Sequence, residues 1–183
     1  MNAPNVAGTT SNSVTGLQFQ INGSGATSQT GLFPDPNKWY KIVSRSNTNL
    51  SLDINAFPSI TDRSNIQVWT YGNGTNQNWK IQYNVDGSIT LVSRAKTSLV
   101  ADICLDVPLN NGSNVYAYTT NGTNNQKWIL SNPEGNNYVF SSMANYALCL
   151  DANSTGGLKD GSNVQVWTYG GNYNQQWQFV EVP

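Results

Sequence analysis

Short strand-length runs of apolar and polar residues recur in the same order three times after residue 38. None shows the period of an amphipathic helix, so the pattern predicts four short strands in each of three repeats, twelve in all. The predicted strands are residues 40–44, 50–54, 66–70 and a run around Trp79; 89–93, 99–103, 115–119 and a run around Trp128; and 138–142, 148–152, 164–168 and a run around Trp177.

The repeats align without a gap at a period of 49 residues. A threefold repeat of this length, built from short strands, predicts a pseudo-threefold β structure with lobes at 38–85, 86–134 and 135–183. We interpret Trp79, Trp128 and Trp177 as core residues, because large apolar side chains related by threefold symmetry fill the centre of such a fold.

A cluster of polar and aromatic residues recurs with the same period of 49 residues. Alternation in the third strand of the outer lobes places Val68 and Val166 opposite the Gln and Trp beside them, so both Trp are expected to be exposed. The recurring sets are Asp53, Asp102 and Asp151; Gln67, Tyr116 and Gln165; Trp69, Tyr118 and Trp167; Asn76, Asn125 and Asn174; and Gln77, Gln126 and Gln175.

Residues 1–37 lie outside the repeat and are rich in Ser, Thr, Asn and Gly. Within them Leu17, Phe19 and Ile21 alternate with Gln, which is typical of one amphipathic strand; a disordered linker is the alternative. No signal peptide is visible, because no apolar run follows a basic start; either the protein is made without one, or a Met precedes a mature or excised fragment. The sequence does not fix the compartment; we favour an extracellular module, with a cytoplasmic protein as the alternative.

Charge and residue usage narrow the possible partners. The formal net charge is −1 and charged residues make up 10%, so we expect no nucleic-acid partner, and no apolar window is long enough for membrane insertion. The chain has no His and two Cys, so we expect neither a metal site nor a cofactor. Cys104 and Cys149 occupy non-equivalent repeat positions, which predicts free thiols rather than a disulfide.

Three segments with the spacing Gln-x-Trp carry a family resemblance: Gln77 to Trp79, Gln126 to Trp128 and Gln175 to Trp177. The chain resembles the ricin B-type β-trefoil lectins and the related carbohydrate-binding modules of glycosidases over residues 38–183. The resemblance implies a β-trefoil and sugar binding, with galactose-type ligands in the lectins and xylose-type ligands in the modules.

The chemistry of the recurring residues fits a pyranose. An exposed aromatic ring covers the apolar C–H face of the sugar, a carboxylate accepts hydrogen bonds from two vicinal hydroxyls, and a side-chain amide both donates and accepts. The resemblance implies that Gln77, Gln126 and Gln175 partly contact sugar and partly tie each lobe together. For Asp53 and Asp151, the alternative to a binding role is capping of a turn.

The middle lobe departs from the pattern, with Tyr116 in place of Gln and Tyr118 in place of Trp. The gapless repeat selects Asp102 as its carboxylate, whereas the sequence Cys-Leu-Asp that ends at Asp106 mimics the one that ends at Asp151. We choose Asp102, because Asp106 would shorten one loop while every other element keeps its spacing. We expect this site to be weaker or altered.

The sequence therefore predicts a non-catalytic, multivalent lectin for glycans, most favourably of galactose type. A xylan- or arabinan-binding module from a secreted glycosidase or toxin is one alternative, and a protein-binding β-trefoil is another. A glycosidase requires two carboxylates about 5–10 Å apart, whereas the recurring Asp residues are separated by symmetry, so we expect no enzymatic activity.

Overall fold

The computed structural model describes residues 33–106 and 108–183, and this part of the chain is built from twelve antiparallel strands and three single turns of 3-10 helix. The twelve strands predicted from the sequence are confirmed. They are β1 Trp39–Ser44, β2 Asn47–Ile54, β3 Ser64–Thr70, β4 Trp79–Tyr83, β5 Ile89–Ser93, β6 Leu99–Ile103, β7 Val115–Thr119, β8 Trp128–Glu134, β9 Asn137–Ser142, β10 Leu148–Ala152, β11 Ser162–Thr168 and β12 Trp177–Val182. The turns are Thr75–Gln77, Asn124–Gln126 and Tyr173–Gln175.

The strands form a barrel covered at one end by three hairpins. Strands β1, β4, β5, β8, β9 and β12 pair in a closed ring. The hairpins β2–β3, β6–β7 and β10–β11 meet through β3, which pairs with both β7 and β11. This arrangement is a β-trefoil, in which β1–β4, β5–β8 and β9–β12 form lobes one, two and three.

Three fully buried Trp side chains fill the core, as the repeat predicts: Trp79, Trp128 and Trp177 are each at most 1% exposed. The indole nitrogens of Trp79 and Trp177 donate to the carbonyl oxygens of Leu52 and Leu150 at 2.9 and 3.2 Å. Among the described residues, the Trp128 nitrogen is the single buried side-chain polar atom with no hydrogen-bond partner. The core is therefore threefold in shape but not in hydrogen bonding.

A ring of three Asn side chains joins the hairpins. Asn114 donates to Asn65 at 3.0 Å, Asn65 donates to Asn163 at 2.9 Å, and Asn163 donates to Asn114 at 2.8 Å. Each amide therefore donates once and accepts once, which satisfies it where the three lobes meet. These residues also recur every 49 positions, a signal present in the sequence that its analysis missed.

Cys104 and Cys149 are both free, as predicted. The strand predicted at residues 17–21 lies outside the described residues. No helix within 33–106 and 108–183 is long and apolar enough to cross a membrane. The same residues contain no group of three or more His, Cys, Asp or Glu placed to hold a metal ion.

Candidate functional site

In lobe one, Asp53, Gln67 and Asn76 form a single hydrogen-bonded cluster. Asp53 on β2 faces Gln67 on β3 in the strand register, and Asn76 comes from the 3-10 turn that precedes β4. Gln67 Nε2 donates to Asp53 Oδ1 at 3.0 Å, and Asn76 Nδ2 donates to Asp53 Oδ2 at 2.8 Å and to the Ile54 carbonyl oxygen at 3.0 Å. Two fixed amides thus orient the carboxylate.

Lobe three repeats this geometry with Asp151, Gln165 and Asn174. Gln165 Nε2 donates to Asp151 Oδ1 at 3.1 Å, and Asn174 Nδ2 donates to Asp151 Oδ2 and to the Ala152 carbonyl oxygen, both at 2.9 Å. Both Asp side chains are 4% exposed. The structure therefore brings the predicted Asp, Gln and Asn together in each of the outer lobes.

An exposed Trp stands beside each of these clusters. Trp69 and Trp167 are 44% and 43% exposed, and each lines a cavity with the Asp of its own lobe. The cavities measure about 640 Å³ in lobe one and about 690 Å³ in lobe three. Since a large ring that stays exposed next to an oriented carboxylate offers an apolar face and hydrogen-bond acceptors together, each cavity suits a polyhydroxylated ring.

A glycine from the neighbouring lobe lies beside each Trp. A Cβ placed on Gly161 would lie 3.7 Å from Cζ3 of Trp69, and one on Gly112 would lie 3.8 Å from Cζ3 of Trp167. Both glycines have positive φ angles, 81° and 87°, which favour glycine on backbone grounds as well. A loop from another lobe therefore lies beside each exposed Trp, a proximity that the sequence did not predict.

The Gln of each Gln-x-Trp segment is buried, and its amide bonds to the protein itself. In lobe one, Gln77 Nε2 donates to the Thr70 carbonyl oxygen at 3.0 Å, while its Oε1 accepts from the backbone nitrogen of Gly72 at 2.7 Å. Gln175 makes the equivalent bonds to Thr168 and Gly170. These bonds fix the turn that carries Asn76 or Asn174, so the Gln acts by positioning its neighbours.

Burial raises the pKa of Asp53 and of Asp151, and the hydrogen bonds from three surrounding amides in each lobe partly oppose this effect. A partly desolvated carboxylate binds hydroxyl groups well, because it gives up little water when a ligand arrives.

In lobe two the carboxylate is more enclosed. Asp102 faces Tyr116 in the strand register where the outer lobes have an Asp–Gln pair, and it is 1% exposed. Its Oδ1 accepts from Asn125 at 2.9 Å and its Oδ2 accepts from Gln126 at 2.6 Å. Burial raises the pKa of Asp102 to about 6, and the Gln126 and Asn125 hydrogen bonds oppose the increase. Tyr118 is only partly exposed.

Asp106, the alternative carboxylate for lobe two, lies at the surface in an ion pair with Arg63, whose second nitrogen donates to it at 3.1 Å. Arg63 comes from the β2–β3 loop of lobe one, and its guanidinium lies 5.7 Å from the centre of the Tyr116 ring. Asp102 therefore occupies the position equivalent to Asp53 and Asp151, while Asp106 belongs to a bridge over the middle lobe.

Arg63 occupies the position that is glycine in the other two loops. Its backbone nitrogen donates to the Ala117 carbonyl oxygen, as Gly112 and Gly161 donate to Val166 and Val68, so the three loops have the same backbone geometry. Arg63 also has a positive φ angle of 69°. Positions 63, 112 and 161 are 49 residues apart, so the sequence already shows that arginine replaces glycine in the loop next to lobe two.

A β-trefoil that carries oriented carboxylates beside exposed aromatic rings defines a carbohydrate-binding lectin domain. The chain belongs to the ricin-type β-trefoil lectin domain family, whose model matches residues 38–177. No curated protein sequence matches the chain significantly.

Solved structures show the same fold. A designed threefold-symmetric protein, ThreeFoil, is 31% identical with a TM-score of 0.71, and the match covers 79% of this chain and 99% of that one. The exo-β-1,3-galactanase 1,3Gal43A of Clostridium thermocellum is 27% identical with a TM-score of 0.71, but the match to 81% of this chain spans only 31% of that enzyme. A Macrolepiota procera ricin B-like lectin in complex with lactose is 19% identical over 80% of this chain and 97% of that one, with a TM-score of 0.66.

Proposed function

We propose that this protein is a non-catalytic, multivalent lectin whose outer lobes each bind a galactose-type sugar. The observation that carries the proposal is the duplication of one complete cluster, an Asp held by Gln and Asn beside an exposed Trp, in lobes one and three. The fold itself does not require the exposed Trp rings, because the middle lobe folds with the smaller ring of Tyr118 at this position.

Each group has a distinct part in the proposed complex. Trp69 or Trp167 stacks on the apolar face of the pyranose, and the carboxylate of Asp53 or Asp151 accepts hydrogen bonds from two vicinal hydroxyls. The side-chain amides of the Gln and Asn that bond to this Asp then add a donor or an acceptor at the rim of the cavity. An open polar cavity buries little ligand area, so each site alone is weak, and binding through two sites on one chain supplies avidity on a surface rich in glycans.

The carboxylates support binding rather than hydrolysis. Each of the two cavities has one acidic residue in its lining, Asp53 in lobe one and Asp151 in lobe three. Glycoside hydrolysis by the common mechanism needs a second carboxyl group across the scissile bond. The galactanase that resembles this chain keeps most of its length outside the matched region, so its activity does not transfer with the fold.

Galactose-type ligands are the family's commonest, and the resemblance to a galactanase is consistent with them. We propose that lobe two contributes less, because the Arg63–Asp106 bridge lies over Tyr116, Asp102 is almost fully enclosed, and tyrosine offers a smaller stacking face than tryptophan.

The test removes the exposed rings and leaves the buried carboxylates in place, since the rings contribute little to the core. Trp69→Ala combined with Trp167→Ala should abolish most retention on galactose-coated beads. Tyr146→Ala is the matched control, because Tyr146 is also an exposed aromatic residue, at 66%, and lines neither cavity. Full retention of the double variant would contradict the site assignment. Retention on xylan or arabinan beads alone would instead reassign the sugar.

A further inference from the structure

We propose that the two outer sites differ in ligand, and that lobe one is built for a pyranose carrying an apolar substituent, with Phe57 as a second contact surface. The inference rests on the proposed function and adds to it a ligand class for one site. Phe57 lines the lobe one cavity together with Trp69, yet it is 87% exposed. A Phe ring this exposed contributes almost nothing to the core, so its contacts are available to a ligand.

Position 57 and position 155 are structurally equivalent, which allows a direct comparison of the two lobes. The backbone nitrogen of Phe57 donates to Asn55 Oδ1 at 3.1 Å, and the backbone nitrogen of Thr155 donates to Asn153 Oδ1 at 3.0 Å. The same Asx turn therefore presents both side chains to their cavities. The wall of lobe one is apolar at this point, whereas the wall of lobe three is polar.

The remaining lining extends this contrast. Ala56 stands next to Phe57 in lobe one, and Ser154 takes its place in lobe three, where Ser46 also lines the cavity. The accessible lining of lobe one is mostly apolar and that of lobe three is mostly polar. Lobe one thus favours an alkyl, aryl or acetyl group next to the sugar ring, whereas lobe three favours bare hydroxyls.

The lobe three cavity has a second aromatic residue besides Trp167, and this residue does not occupy the position of Phe57. Tyr173 lines the cavity from the 3-10 turn, on a different segment from the Asx-turn loop. The guanidinium of Arg45 lies 4.1 Å from the centre of the Tyr173 ring and covers one of its faces. One face of the Tyr173 ring is therefore occupied by Arg45, and the ring carries a polar hydroxyl group. The Phe57 ring, in contrast, is apolar and open to solvent.

The experiment isolates each outer site in the full chain. Trp167→Ala leaves lobe one as the intact outer site, and Trp69→Ala leaves lobe three; lobe two is the same in both proteins. Affinities for methyl and phenyl β-galactoside are measured by calorimetry or by NMR titration. The lobe one protein should prefer the phenyl glycoside by about 2- to 10-fold, the range expected for one aromatic contact, and the lobe three protein should show no such preference.

Reciprocal exchange at the equivalent positions supplies the control. Phe57→Thr in the lobe one protein should remove the preference, and Thr155→Phe in the lobe three protein should create it. Equal preferences in the two starting proteins, or a preference that survives Phe57→Thr, would overturn the inference. If neither galactoside binds, the galactose assignment fails, and the same comparison with methyl and phenyl xylosides decides the role of Phe57. Absence of binding to all four overturns both proposals.

Discussion

The buried carboxyl of Asp102 should make the protein less stable as the pH rises from about 4 to 7. Desolvation raises its pKa from 3.8 to about 6, against opposing hydrogen bonds from Gln126, Asn125 and Tyr116 and the positive charge of Arg63. Between these two values the folded protein holds a proton that the unfolded chain has released. The stabilising contribution is therefore complete below about pH 3.8 and is lost as the pH passes through about 6.

The difference between 3.8 and about 6 corresponds to at most about 3 kcal/mol of unfolding free energy. Asp53 and Asp151 act in the same direction because burial raises their pKa values too, so the wild-type profile alone does not isolate Asp102. The informative quantity is the stability of the wild type minus that of Asp102→Asn. It should fall by about 3 kcal/mol or less between pH 4 and pH 7, since asparagine does not titrate.

Urea unfolding of both proteins at several pH values measures this difference, and a ¹³C carboxyl NMR titration reads the Asp102 pKa directly. Asp106→Asn is the matched control. The Arg63 ion pair lowers the pKa of Asp106, so the stability difference between wild type and this variant should change with pH in the opposite direction. Its contribution is present above the unfolded pKa and is lost as the pH falls. The reasoning would be refuted if the stability difference between wild type and Asp102→Asn stays constant with pH, or if the Asp102 carboxyl titrates at pH 4 or below.

Three further sets of substitutions test the buried Trp residues, the Asn ring and the middle lobe. Trp79→Phe should destabilise the protein by about 1–3 kcal/mol more than Trp128→Phe in denaturant unfolding, because only Trp79 loses a hydrogen bond and the Trp128 change removes an unpaired buried donor. Asn114→Ala should cost about 1–3 kcal/mol in the same assay, since it leaves one donor and one acceptor of the Asn ring unpaired. Arg63→Gly combined with Tyr118→Trp should raise the number of lactose molecules bound per chain in calorimetry, and an unchanged number would argue against the Arg63 bridge as the cause of the weak middle site.

The fold was predictable because its determinants are local and repeated. Alternation within each run marks a strand, and the constant spacing of Trp79, Trp128 and Trp177 marks the buried positions. The same spacing selected Asp102 over Asp106, and the strand register agrees. Periodicity was enough for these features because each depends on position within one repeat.

Contacts between lobes were harder to predict from the sequence. Gly161 lies beside Trp69 and Arg63 lies over Tyr116, although each pair is far apart in the chain and no pattern within one repeat connects them. The exposure of Phe57 also depends on the direction in which an Asx turn points, which residue type does not determine. Periodicity finds equivalent positions, whereas the neighbours of each position follow from how the hairpins close.

This division of each site between two lobes explains how one site can diverge without harm to the fold. The loop position next to the aromatic ring is glycine at 112 and 161 and arginine at 63, yet all three backbones make the same hydrogen bond across the hairpins. In the altered lobe Asp102 accepts hydrogen bonds from Asn125 and Gln126, and Gln126 also donates to the Thr119 carbonyl oxygen. The carboxylate thus has a structural role in addition to the proposed binding role, so its presence alone does not identify a working site. The exposed Trp, the glycine beside it and the Gln that faces the Asp together distinguish the outer lobes.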